Sequence, residues 1–129
     1  MDIDSSRLVH EARQALAQAY APYSGVKVGA ALLTAADLIY TGVNIENASL
    51  GLTLCAERTA IAGAVAAEGP ELRLRALAVV SSRSGPFSPC GACRQVIFEF
   101  GPEALVIFQG ERELVKTPIT ALLPFAFRL

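Results

Sequence analysis

All three cysteines of this 129-residue chain fall into one pattern, Cys55-Ala56-Glu57 followed by Pro89-Cys90-Gly91-Ala92-Cys93. That pattern constrains the fold strongly, because sulfurs serving one metal ion must be carried to a single point from two separate segments. Zinc is usually tetrahedral, with Zn–S bonds of roughly 2.3 Å; structural sites fill all four positions with protein, whereas catalytic sites leave the fourth to water. Three cysteines with none left over suit a catalytic zinc site. Glu57 follows Cys55 closely enough to stand beside that water without serving as a ligand. The plainer readings are three buried thiols, or a structural zinc module with a fourth protein ligand, for which His10 is the one histidine. His10 lies in a helical stretch and is expected to cap it or to face solvent.

Leu8, Ala12, Ala15, Leu16 and Ala19 recur at helical spacing and predict a first helix from Ser5 to about Tyr20, capped by Ser5 or Ser6 and stopped by Pro22. The apolar runs Val26 to Leu33 and Leu38 to Asn44 flank Thr34-Ala35-Ala36-Asp37, which predicts a hairpin. Cys55 to Ala67 reads as a second helix with Thr53 as its cap, and Leu74 to Ser81 as a buried strand. Gly91 to Phe100 reads as a third helix, Leu105 to Gln109 as a strand, Glu113 to Lys116 as a short fifth strand, and Thr120 to Pro124 as a terminal helix or turn. Strands alternating with helices after a hairpin predict a single α/β domain over residues 1–129, a sandwich built on a mixed sheet. Both cysteine motifs then sit where the chain enters a helix. Free N–H groups and partial positive charge at helix N-termini stabilise thiolates there.

Zinc held by three thiolates carries a formal charge of −1, which weakens its pull on water. The two helix N-termini offset this, and Arg58 and Arg94, close behind ligands in sequence, can donate hydrogen bonds to sulfur. Glu57 would take a proton from the water, leaving hydroxide to attack an electrophilic carbon, and would then return protons to the groups that carbon releases. Such a carboxylate needs a raised pKa, which apolar neighbours such as Leu54 can provide. Asn44 and Glu46 share a face if strand geometry persists, and an amide beside a carboxylate can bind sugar hydroxyls; an Asx-type turn with solvated side chains is the alternative. Of the six phenylalanines, Phe125 and Phe127 near the chain end are the ones placed to stack on a base or a neighbouring subunit.

Composition narrows the partners. Lys and Arg total 11 against 12 Asp and Glu, and the basic residues form no run that would track a phosphate backbone, so a nucleic acid polymer is disfavoured. The hydrophobic fraction of 53% is high for a small body with much surface, which points to burial between subunits. No apolar run reaches the roughly 20 residues that span a bilayer, so no membrane partner is expected. The charged, amphipathic N-terminus lacks a signal-peptide core, and an odd number of cysteines suits a reducing compartment, which together predict a cytoplasmic protein.

Several motifs carry a resemblance. Tyr20-Ala21-Pro22-Tyr23-Ser24, Val43-Asn44-Ile45-Glu46-Asn47-Ala48, Cys55-Ala56-Glu57-Arg58-Thr59-Ala60, Pro89-Cys90-Gly91-Ala92-Cys93-Arg94-Gln95 and Leu122-Leu123-Pro124 occur in that order across nearly the whole chain. Together they resemble the cytidine deaminases of the small homotetrameric type. The resemblance implies a three-layer α/β/α sandwich with a five-stranded mixed sheet, one Zn²⁺ per subunit, and hydrolysis of cytidine and deoxycytidine to uridine and deoxyuridine in pyrimidine salvage. It implies Cys55, Cys90 and Cys93 as ligands, Glu57 as proton shuttle, and Asn44 and Glu46 as the ribose pair. It also implies Ala56 as a backbone contact to the pyrimidine and Arg58 as the donor to the thiolates. Phe127 matches an aromatic residue inserted into a neighbouring subunit's site, so composite sites in a homotetramer are implied. Two positions depart: Val26 stands where the family usually has a phenylalanine lining the base pocket, and Leu50 where it has an aromatic near a subunit contact. A deaminase of a nucleoside-like antibiotic such as blasticidin S would share the metal set, and the retained Asn44 and Glu46 favour plain ribose over it.

Overall fold

The computed structural model describes residues 3–129, in the order α1 Ser5–Leu16, β1 Val28–Thr34, β2 Ile39–Val43, α2 Ala56–Glu68, β3 Leu74–Ser81, α3 Gly91–Phe100, β4 Leu105–Gln109, β5 Leu114–Pro118 and α4 Ile119–Leu122. A 3-10 turn at Leu50–Leu52 lies between β2 and α2. The strands form one sheet in the order β2-β1-β3-β4-β5. β1 runs antiparallel to β2 and β3, β4 runs antiparallel to β5, and β3 and β4 are parallel. A parallel pair cannot be closed by a tight turn, and α3 supplies the crossover.

Side chains alternate across a strand, so apolar strands give the sheet two buried faces. On one face Val28, Ala30 and Leu32 of β1, Leu77 and Val79 of β3, and Val106 of β4 join Ala56, Ala60 and Ile61 of α2, Ile97 of α3 and Ile119 of α4. On the other, Ala31, Ala76, Ala78, Val80 and Ile107 receive Leu8 and Ala12 of α1. The result is the three-layer α/β/α sandwich implied by the motifs. Two glycines set how closely its layers approach. A Cβ on Gly29 would strike the Ala12 carbonyl oxygen of α1, and one on Gly42 would strike the Ala60 nitrogen of α2. No helix among the described residues is long and apolar enough to cross a membrane.

The hairpin turns where expected, with Asp37 in the left-handed region at φ 66° and its N–H bonded to the Thr34 carbonyl at 2.9 Å. The first helix is shorter than expected and ends at Leu16, with Gln18 and Ala19 closing a tighter turn onto Ala15 and Leu16. Tyr20 is drawn instead into a parallel bridge with Ile45, donating to the Asn44 carbonyl at 3.0 Å and accepting from the Glu46 N–H at 2.9 Å. Pairing with the chain beyond β2 overrides a local pattern that would have continued the helix. α1 is capped by Asp4, whose carboxylate accepts from the Arg7 N–H at 3.1 Å, and not by Ser5 or Ser6.

Candidate active site

Cys55 and Cys90 are themselves the N-cap residues of α2 and α3, both in extended backbone. Thr53, expected as the cap of α2, instead accepts the Asn47 N–H at 3.2 Å and shapes the loop before the helix. Each entry segment is pinned by a β-bridge. Ile45 and Leu54 exchange two backbone hydrogen bonds of 2.9 Å, and the Phe87 N–H donates to the Gln109 carbonyl at 2.9 Å. These pins bring two helix N-termini together, and the three cysteine Sγ atoms lie within 4.8 Å of one another. Tetrahedral zinc with bonds of roughly 2.3 Å spaces its sulfurs about 3.8 Å apart, so small side-chain adjustments would close the set on one ion. The donor set fits zinc: three sulfurs, two helix N-termini, and an Arg58 Nη2 that donates to Cys55 Sγ at 3.1 Å. His10 is exposed on α1, which packs on the opposite face of the sheet, so it is no candidate for a fourth ligand.

The thiols already behave as a group. The Cys55 thiol is pulled down to about 5, first by its hydrogen bond with Cys93 and then by Arg58, against the opposing effect of burial. Cys93 is pushed up, first by its hydrogen bond with Cys55 and then by burial. Cys90 Sγ accepts from the Cys93 N–H at 3.4 Å. A thiolate stabilised at Cys55 gives a cation its first foothold, and a bound divalent ion favours deprotonation of the other two.

Glu57 lies in the first turn of α2 and is only 3% exposed. Burial raises its pKa above the ordinary 4.5, the negative charge at Cys55 adds to the rise, and its own N–H, Cys93 and Arg58 pull the other way. A carboxyl whose charged form is disfavoured in this way returns a proton more readily than an exposed one, as a group that both accepts and donates must. It opens into a pocket of about 290 Å³ whose wall also includes Val28, Asn44, Leu54, Ala56, Phe87, Ser88 and the three cysteines.

Of the remaining residues singled out in the sequence, Asn44 and Ala56 line this pocket. Asn44 is buried and knits the entry to β1, accepting the Val28 N–H and donating to the Val26 carbonyl, both at 2.8 Å. Its amide keeps one N–H and one lone pair for a ligand. The Glu46 carboxylate holds the preceding loop, accepting the Tyr23 N–H at 2.9 Å, the Ser24 N–H at 3.1 Å and the Ser24 hydroxyl at 2.5 Å. Those bonds, the Ser24 hydroxyl first, lower its pKa.

Two expectations change, those for Val26 and Arg94. Val26 packs against the core and is not part of the pocket wall, because the chain enters β1 only at Val28. Arg94 donates to oxygen, reaching the Pro89 carbonyl at 2.7 Å, the Leu122 carbonyl at 3.0 Å and the Ser88 hydroxyl at 3.2 Å. One residue past Cys93, it is rotated about 100° around α3, away from the sulfurs. Phe127 is 68% exposed and lies beside a separate cleft with Gln95, Phe98 and Arg128, not in the sulfur pocket of its own chain. The sequence reading also missed two residues. Phe87 reaches the pocket, and its place three residues before Cys90 was the available signal. Thr59 ties α2 to β2, its hydroxyl accepting the Val43 N–H at 3.0 Å and facing the Val43 carbonyl at 2.8 Å.

Comparison with known proteins agrees with this geometry. The profile described as the cytidine and deoxycytidylate deaminase zinc-binding region matches residues 3–109. A cytidine deaminase of Sporosarcina psychrophila is 46% identical over 127 residues, covering 97% of this chain and 92% of that protein. The crystal structure of cytidine deaminase from Burkholderia pseudomallei superposes with a TM-score of 0.88 at 45% identity, covering 97% of this chain and all of that one (100%). A blasticidin-S deaminase of Bacillus cereus is more distant, 35% identical over 107 residues, covering 78% of this chain and 76% of that protein. This chain belongs to the zinc-binding cytidine and deoxycytidylate deaminase family.

Proposed function

We propose that this protein hydrolyses cytidine and deoxycytidine to uridine and deoxyuridine, releasing ammonia. The observation that carries the reading is a buried carboxyl, Glu57, opening into the same pocket as three convergent cysteine sulfurs that no fourth His, Cys, Asp or Glu ligand completes among the described residues. Zinc held by Cys55, Cys90 and Cys93 would supply a Lewis acid that lowers the pKa of water. Glu57 takes both protons of the attacking water in turn: the first, accepted as the oxygen adds to the ring carbon, goes to the ring nitrogen, and the second, accepted from the added hydroxyl as it becomes the carbonyl, goes to the amino group as its bond to carbon breaks. One oxygen and two protons gained against one ammonia lost account for uridine. Arg58 holds charge on Cys55, the backbone of Ala56 faces the pyrimidine, and the free N–H of Asn44 meets the sugar. Glu46 contributes to the sugar subsite through the Tyr23-Ser24 loop that it holds.

The same reading includes a homotetramer in which Phe127 completes a neighbour's pocket. Large apolar side chains left exposed support it, among them Leu50 at 75%, Leu52 at 65% and Phe127 at 68%. The reading includes a cytoplasmic place in pyrimidine salvage, supported by three unpaired cysteines that a reducing compartment would keep available for metal. Identity favours cytidine over blasticidin S, at 46% against 35%. The test is the loss of cytidine absorbance with purified protein, with and without a zinc chelator. Turnover abolished by chelation and restored by zinc is expected; absence of turnover by zinc-loaded protein would overturn the reading.

A further inference from the structure

We propose that Phe87 is the aromatic face on which the pyrimidine lies within one subunit, and so a specificity-determining residue; the assignment rests on the cytidine reading above. Among the described residues that line the sulfur pocket, Phe87 is the one with an aromatic ring, and Val28, Leu54 and Ala56 make the rest of its apolar wall. A flat, polarisable base therefore finds a single ring in the wall that one chain builds. That ring is held before any ligand arrives. The Phe87 N–H is bonded to Gln109 on β4, Pro86 precedes it, and its side chain packs partly against the main core. Its other surroundings are mixed, with Val80 and Leu114 beside polar groups. The Arg83 guanidinium stands 5.4 Å from the ring centroid, and Arg83, Arg13, Ser81 and Phe87 line a second cleft of about 240 Å³. Phe87 thus borders both clefts, with the Arg83 cation over its ring.

Stacking of bases on aromatic side chains is sequence-tolerant and substantial. Replacement of the ring by a branched aliphatic of similar bulk is expected to raise KM while leaving the proton transfers of Glu57 in place. Phe87→Leu should raise KM for cytidine about five- to thirtyfold, with kcat within about threefold and bound zinc equal to wild type. Phe87→Tyr, which keeps the ring, should hold KM within about twofold. A second readout separates stacking from general loosening. As competitive inhibitors, uridine and 5,6-dihydrouridine offer the same hydrogen-bonding groups, but only uridine is flat. Phe87→Leu should weaken uridine about fivefold or more and dihydrouridine less than about twofold. Should Phe87→Leu yield no folded protein, Phe87→Met carries the same expectations. An unchanged KM in the aliphatic variant, or equal weakening of both inhibitors, would overturn the assignment of Phe87 while wild-type turnover of cytidine left the broader reading standing. Wild-type protein that bound zinc but did not process cytidine would overturn both.

Discussion

Glu57 is placed where an ionised carboxylate is least welcome, and that is what fits it to proton transfer. Glu57→Gln removes the shuttle without removing a sulfur, so kcat should fall by at least about 10²–10⁴-fold while zinc measured by atomic absorption stays bound. Because burial raises the pKa of Glu57 above 4.5 and the group must be ionised to accept a proton, the acid limb of kcat/KM should lie above that ordinary value. A pH–rate profile checks it, and a limb at or below 4.5 would contradict the role. Glu46 behaves oppositely. Its pKa is lowered in the folded chain, so its contribution to stability is present above the unfolded value near 4.5 and is lost as pH falls through the folded one. Glu46→Gln should therefore lower Tm at neutral pH, and the gap to wild type should close on acidification, as thermal scans across pH would record. At this scale the identity of the chemistry was legible, because metal ligands and a shuttle require particular residue types at particular spacings. What Glu46 and Arg94 hold was not legible, since their partners Ser24 and Leu122 are 22 and 28 residues away and spacing carries no trace of them.

The elements that matter most to the site are α2 and the strand beneath it. Gly42 lets the backbone of α2 lie against β2, and Thr59 bonds across the seam. Gly42→Ala would drive a methyl group into the helix backbone, where overpacking typically costs about 1–3 kcal/mol. Because Cys55 and Glu57 ride on that helix, activity should fall further than a Tm drop of a few degrees would explain; thermal unfolding and kcat measured on the same preparation test this. Apolar runs made β1 and β3 readable from sequence, and Gly69-Pro70 and Gly101-Pro102 mark where α2 and α3 stop. The end of α1 was misread because Tyr20 exchanges a helical hydrogen bond for pairing with Asn44 and Glu46, a long-range choice that a local apolar stripe cannot disclose.

At the scale of the whole molecule, two couplings are expected. Metal affinity is linked to folding when the ligands come from separate segments, so Cys93→Ala should lose zinc and lower Tm together; equal zinc content in variant and wild type would count against the ligand assignment. The proposed tetramer should be visible by light scattering, and Phe127→Ala should raise KM for cytidine without loss of zinc. A fully active monomer would remove the composite site. A sandwich on a mixed sheet followed from the pattern of strands and helices, but the strand order did not, because pairings such as β1 with β3 join distant segments. Assembly was signalled by apolar content, which says that something is covered and not by what, and by the family resemblance at Phe127.

Arg94 and Gln95 follow Cys93 on α3, and they grip the Leu122 and Phe127 carbonyls of the chain's last stretch. In an assembly where that tail enters the adjoining pocket, the helix bearing one subunit's metal ligands is also the handle of its neighbour's lid. If the proposed tetramer forms, neighbouring pockets share this grip, and Arg94→Gln should raise KM for cytidine without loss of bound zinc; an unchanged KM would remove the link.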